Sequence, residues 1–131
     1  MTAATTLTAR ANRGSLTEGR SPEELREIVS HVGAELELAP AEIIVEWAVA
    51  TFGERFCVTS SMADGVLAHV ASRVAPGIDV VFLDTGYHFA ETIGTRDAVE
   101  QVYGVQMVNL TPEHSVAEQD ELLGRNLFAR E

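Results

Sequence analysis

Three short apolar runs, each emptying into a turn and then a helix-period segment, constrain this chain more than any other feature. Phe56-Cys57-Val58-Thr59 is β-prone and gives way to a small-residue turn, Ser60-Ser61-Met62-Ala63-Asp64-Gly65. Val66, Leu67, Val70 and Val74 follow at helical spacing, and Pro76-Gly77 ends that helix. Ile78-Asp79-Val80-Val81-Phe82-Leu83 reads as a second, buried strand with Asp84-Thr85-Gly86 as its turn. A helix from about His88 to Tyr103 stops at Gly104, and Val105-Gln106-Met107-Val108-Asn109-Leu110 is the third strand. Thr111-Pro112-Glu113 reads as a helix start, and Val116 to Leu123 as a short helix before Gly124. Apolar strands alternating with amphipathic helices predict an α/β fold. The expected architecture is a Rossmann-like parallel sheet with right-handed crossovers and helices on both faces.

Upstream, residues 1–20 are polar and aperiodic, and the expectation is a disordered lead before a single domain over 21–131. Ser21-Pro22-Glu23-Glu24 is a capping box with proline at the first helical position. Leu25, Ile28, Val29 and Val32 then recur at helical spacing. A second helix after Pro40 runs through Ile43, Ile44, Trp47 and Ala48 to Gly53. Both helices read as a packed lead-in, with Trp47 in the core rather than serving as a base-stacking platform.

Charge narrows the function classes. Twenty acids stand against nine bases, all arginine, for a formal net charge of −11. Nucleic acids and anionic membranes demand clustered cations, so neither is an expected partner. No run approaches the roughly 18 apolar residues of a membrane span, and the first twenty residues lack the apolar core of a secretory signal. The cytoplasm is the expected location.

In open parallel sheets ligands bind outside the carboxyl ends of the strands, at the switch point of strand order. That rule selects the loops 60–65 and 83–88. The first runs straight into a helix, whose free amides, with the hydroxyls of Ser60 and Ser61, can face an anion. A plain capping role for the serines and Asp64 explains the same residues. It is not a Walker loop, because the glycine–lysine pattern is absent. In the second loop, Gly86 lets the backbone approach a ligand, Leu83 has backbone groups for a base edge and Thr85 has a hydroxyl. Cys57, the single cysteine, reads as a small buried hydrophobe in a strand rather than a nucleophile. His88 and His114 lack the further ligands of a metal site, although His88 follows the second loop closely enough to assist there. Asp64 reads as a cap, Asp84 as a turn residue and the acidic stretch 113–121 as a solvated face.

The segments Ser60-Ser61-Met62-Ala63-Asp64-Gly65-Val66-Leu67 and Leu83-Asp84-Thr85-Gly86-Tyr87-His88-Phe89-Ala90-Glu91-Thr92 resemble the assimilatory sulfonucleotide reductases. They look like the modified pyrophosphate loop and the LDTG segment of that family. Asn109 to His114, Gln119 to Gly124 and Leu127-Phe128-Ala129-Arg130 continue the likeness, closest to the bacterial adenylyl-sulfate branch. It covers about residues 40–131.

The resemblance implies a truncated fold of the adenine nucleotide alpha hydrolase type. The ligand is adenylyl sulfate or phosphoadenylyl sulfate, with AMP as product. Substrate contacts carry over to Ser60, Ser61, Met62, Asp64, Leu83, Thr85 and Gly86. It also implies thioredoxin as reductant, and a 4Fe-4S cluster held by cysteines. The cluster cysteines, a basic phosphosulfate-gripping loop and the nucleophilic cysteine are expected beyond Glu131. No catalytic residue or metal ligand is therefore expected within the chain, which is expected to be inactive alone. Helix-terminus amides contribute only about 0.3–2 kcal/mol per charge, too little to hold a dianion tightly without cations. An exposed sheet edge and apolar surface favour a homo-oligomer. Two rivals remain. One is a non-catalytic nucleotide-binding or interaction module. The other is a pyrophosphate-loop ATPase or adenylyl-transfer enzyme, disfavoured because Ser61 and Met62 stand where that loop has glycines and their side chains are expected to crowd a pyrophosphate.

Overall fold

The computed structural model describes residues 19–124; the expected lead over residues 1–20, but for its last two residues, and the Leu127–Arg130 stretch lie outside them. Helix α1 spans Pro22–Leu36 and opens as the sequence predicts. Glu24 N–H donates to Ser21 Oγ at 3.2 Å, and Ser21 N–H donates to Glu24 Oε2 at 2.7 Å. It is not, however, a packed element. None of its residues is buried, and Val29 is 46% exposed, because no other described element covers its apolar stripe.

Helix α2, Ala41–Phe52, ends at Gly53 as expected, but it turns a different face inward. Val45, Ala48 and Thr51, three residues apart, are buried, while Ile43 and Ile44 are exposed. Trp47 is half-buried, edge-on to Phe52 at 5.6 Å. A 3-10 turn, Gly53–Arg55, leads into strand β1, Val58–Thr59.

The strand is shorter than predicted, and Cys57 precedes it. Cys57 is exposed, which overturns the buried reading. The reason is the two-residue period of a strand: Val58 faces the core, so its neighbours Cys57 and Thr59 face outward.

Helix α3 (Val66–Val74), strand β2 (Asp79–Leu83), helix α4 (Ala90–Tyr103), strand β3 (Gln106–Leu110) and helix α5 (Val116–Leu123) complete the order. The sheet is parallel with order β1-β2-β3, pairing Val58 with Val80 and Phe82 with Asn109. Val80 and Phe82 are fully buried, and Val45 of α2, Ala68 and Ala71 of α3 and Val99 of α4 join them in one core. Alanines let α3 lie close. So does Gly65, where a Cβ would come within 3.1 Å of the Tyr103 ring. On the other face of β2, Val81 is half-buried and Leu83 is 59% exposed, so the described helices close one face more completely than the other.

Helix α5 covers Val116–Leu123 as expected, but its start signal is not Thr111-Pro112. Its cap is Ser115, in a capping box with Glu118: Ser115 N–H donates to Glu118 Oε2 at 2.7 Å and Glu118 N–H donates to Ser115 Oγ at 3.3 Å. Ser-x-x-Glu at 115–118 was legible as a helix start in the sequence.

Candidate functional site

Both selected loops emerge at the carboxyl ends of their strands, and they meet. Thr59, Ser60 and Ser61 line an open pocket of about 240 Å³ with Val81, Leu83 and His88. Pockets for whole nucleotides are usually larger, about 300–1,000 Å³. The strand order runs one way, so no reversal of order falls among the described strands. The pocket lies instead at the end of β1, an edge strand among those described.

The first loop is built around Met62. Ser60 N–H donates to Val81 O at 3.1 Å, carrying the β1–β2 ladder one residue further. The Ser60 hydroxyl then accepts from Met62 N–H at 3.1 Å and lies 3.7 Å from Met62 Sδ. Met62 has φ +60, alone among the described non-glycine residues, and its side chain is 2% exposed in the core. Left-handed backbone costs an L-residue roughly 1–2 kcal/mol; burying the thioether offsets it. The crowding expected from Met62 is therefore corrected: its side chain leaves the crevice for the interior. Ser61 is exposed at the pocket. Asp64 Oδ1 accepts from Val66 N–H at 3.0 Å, so the carboxylate caps the start of α3 and occupies an amide that an anion would use.

The second loop is held from within. Asp84 Oδ1 accepts from Gly86 N–H at 3.1 Å, and Thr85 Oγ1 from Tyr87 N–H at 3.4 Å. Gly86 has φ +82, and a Cβ there would sit 3.1 Å from Val116 Cγ2. Its requirement for glycine is thus met by packing against α5, with no ligand needed to explain it. Val81 O bonds Ser60 across to β1; two residues on, the peptide groups of Leu83 face the same side, past the end of that strand. His88 Nε2 lies 2.8 Å from Leu83 O, and its ring is 4.8 Å from that of Phe82.

Of the seven predicted contact residues, Ser60, Ser61 and Leu83 line the pocket, and Met62, Asp64, Thr85 and Gly86 brace the loops behind it. His88 joins the first group. His114 is exposed, with its carbonyl bonded to Gln119, and among the described residues no three His, Cys, Asp or Glu side chains converge as a metal site.

Arg96 is what sequence reasoning missed. Twelve positions after Asp84, it is returned by α4 to the same end of the sheet. Its Nη1 lies 3.0 Å from Asn109 Oδ1 and 3.7 Å from Asp84 Oδ2, its Nη2 is 2.8 Å from Asp97 Oδ1, and its Cζ sits 5.6 Å from the Phe82 ring centroid. Two carboxylates thus engage the charge, making Arg96 a brace between β2 and β3. No local pattern marks it, since the contacts depend on how far α4 carries the chain back.

Known proteins are similar to this chain in sequence and in fold. Residues 55–131 match the phosphoadenosine phosphosulfate reductase domain. An adenosine 5'-phosphosulfate reductase of Streptomyces coelicolor is 60% identical over 114 residues, spanning 87% of this chain and 48% of the relative. The enzyme of that name from Mycolicibacterium smegmatis is 61% identical over 108 residues, 82% of this chain and 46% of the relative. The chain thus spans about half the length of the curated relatives it matches. The crystal structure of phosphoadenylyl-sulfate reductase from Candida auris, a phosphate complex, aligns with TM-score 0.65 and 24% identity over 88% of this chain and 55% of that one. That likeness carries the fold, a Rossmann-like sheet of the adenine nucleotide alpha hydrolase type. With the domain matching more than half of its residues, this chain belongs to the phosphoadenosine phosphosulfate reductase domain family.

Proposed function

We propose that this chain supplies the nucleotide-binding part of an adenylyl-sulfate reductase of sulfate assimilation. In the whole protein, adenylyl sulfate is reduced to sulfite and AMP at the expense of a thioredoxin dithiol, in the cytoplasm. The observation that carries the reading is the convergence of Ser60, Ser61 and Leu83 on one pocket at the carboxyl ends of β1 and β2. Parallel sheets place their ligands there. The names of the relatives above supply the substrate class.

The reducing chemistry does not belong to these residues. A 4Fe-4S cluster takes about four cysteine thiolates, and this sequence has one cysteine, so its residues do not fit the cluster. Cys57 is exposed but sits at the wrong end of β1. At roughly 3.3 Å per residue it is about 10 Å from Ser60, and its exposure does not bring it to the pocket.

Calorimetric titration of the chain with AMP and with adenylyl sulfate tests the proposal. Expected is weak but saturable binding of both, lowered about three- to tenfold in Ser60→Ala, which loses the hydroxyl at the pocket wall and its hold on Met62 N–H. No saturable binding of either nucleotide by the folded chain overturns the reading for these residues and favours an interaction module.

A further inference from the structure

Arg96 is itself held in place, and what it faces leads to the pocket. Its Nε donates to Asp97 Oδ1 at 2.9 Å and its Nη1 to Asn109 Oδ1 at 3.0 Å. Charge-assisted bonds of this kind fix the plane of a guanidinium, and only 20% of the side chain is exposed. So held, Arg96 meets two residues of the β2 end. Its Nη1 is 3.7 Å from Asp84 Oδ2, an ion pair without a hydrogen bond. Its Cζ lies 5.6 Å from the centre of the Phe82 ring, within cation–π range.

Phe82 and Asp84 flank Leu83 in the chain, and each shapes the pocket wall from behind. Asp84 closes the turn: its N–H donates to Leu110 O at 2.8 Å, and its Oδ1 accepts from Gly86 N–H at 3.1 Å. The wholly buried Phe82 presents its ring to that of His88 at 4.8 Å, and His88 Nε2 lies 2.8 Å from Leu83 O. Leu83 and His88 line the pocket, whereas Phe82, Asp84 and Arg96 stand outside it. We infer that Arg96 is a positioning residue of the pocket, acting through Asp84 and Phe82 on the wall formed by Leu83 and His88. This role rests on the nucleotide reading proposed above and adds to it a residue outside the pocket on which the shape of the pocket depends.

Calorimetry with AMP on the full chain tests it, with Arg96→Gln, Arg96→Lys, Asp84→Asn and the Arg96→Gln, Asp84→Asn double variant. Each is measured well below its thermal unfolding midpoint, where lost stability by itself leaves the binding-competent fraction, and so the affinity, unchanged. Arg96→Gln should weaken AMP binding about three- to tenfold, and Arg96→Lys, which keeps the charge but not the fork, by less. Asp84→Asn gives the deciding sign, because asparagine keeps an acceptor for Gly86 N–H and loses only the charge. If the field of the protein alone mattered, removing a negative charge would tighten the binding of an anion. Loss of the Arg96 partner should instead weaken it at least about twofold, and in the double variant the two effects should overlap rather than multiply. Without ligand, ¹H–¹⁵N spectra should show the Gly86 amide and the His88 ring displaced in both Arg96 variants; if Arg96→Gln does not fold, Arg96→Lys carries both readouts. Unchanged AMP affinity in the folded Arg96 variants, tighter binding in Asp84→Asn, or unmoved Gly86 and His88 resonances overturn the role of Arg96 and leave the nucleotide site intact. Failure of the unsubstituted chain to bind AMP overturns the nucleotide reading and this role with it.

Discussion

Met62 shows how one residue can serve a loop and a core together. It holds a backbone conformation that glycine adopts freely, and it is retained there by a fully buried side chain. The balance has a measurable consequence. Glycine ordinarily destabilises a site by about 0.5–1 kcal/mol relative to alanine. At Met62 the sign should invert: Met62→Gly and Met62→Ala both lose the buried thioether, but only alanine retains the strain, roughly 1–2 kcal/mol. Urea denaturation should find the glycine variant about 1 kcal/mol more stable than the alanine variant. The usual order would mean that φ +60 carries no strain there. Cys57 shows the limit of reading one residue at a time. Its apolar neighbours suggested a buried thiol, but burial follows the strand's alternation and the cover on each face, and only the first can be read locally.

Among the elements, the capping boxes at Ser21 and Ser115 were both written in four-residue patterns, because capping is a local bond between a side chain and nearby amides. The second makes a pH prediction. Hydrogen bonding to Ser115, through the backbone first and then its side chain, with His114 nearby, holds the Glu118 carboxyl below the ordinary glutamate range. A depressed native pKa means that the contribution of the cap is present above the ordinary glutamate value and is lost as pH falls through the lower native value. The Ser115 amide resonance, followed by NMR on acidification, should move with a midpoint below that of an ordinary glutamate; a midpoint at or above it would show the carboxylate is not gripped. The turn after β2 offers a second test. Gly86→Ala should cost about 1–3 kcal/mol in urea denaturation, from left-handed strain and the 3.1 Å approach to Val116. Repeating it in a Val116→Ala background should recover the contact part alone. A neutral Gly86→Ala would mean that α5 yields freely.

For the molecule as a whole, charge sets the terms of binding. The net charge is −11, among the described residues no Lys or Arg side chain lines the pocket, and Arg96 is engaged by Asp84 and Asp97. An anionic nucleotide approaches a repulsive field. Raising the salt from about 20 to about 200 mM shortens the screening length several-fold. It should therefore strengthen AMP binding, the reverse of an ordinary cationic phosphate site. Weakening with salt would require a cation contributed from outside the described residues. The sheet also leaves surface to cover: Leu83, Leu110, Leu122 and Leu123 are all exposed.

The sequence by itself determined the element order, the parallel α/β class, both turns at the strand ends and three of the six residues that line the pocket. These are short-range properties: hydrophobic period, capping and the small residues that sharp turns need. The tertiary structure decided which face of α2 is buried, that α1 packs weakly and that Cys57 faces outward. It also turned Met62 away from the crevice, brought Arg96 to Asp84 and set His88 on the Leu83 carbonyl. Each of these depends on groups distant in the chain meeting in space, and periodicity along the chain carries no record of what lies across from a residue once the sheet has formed.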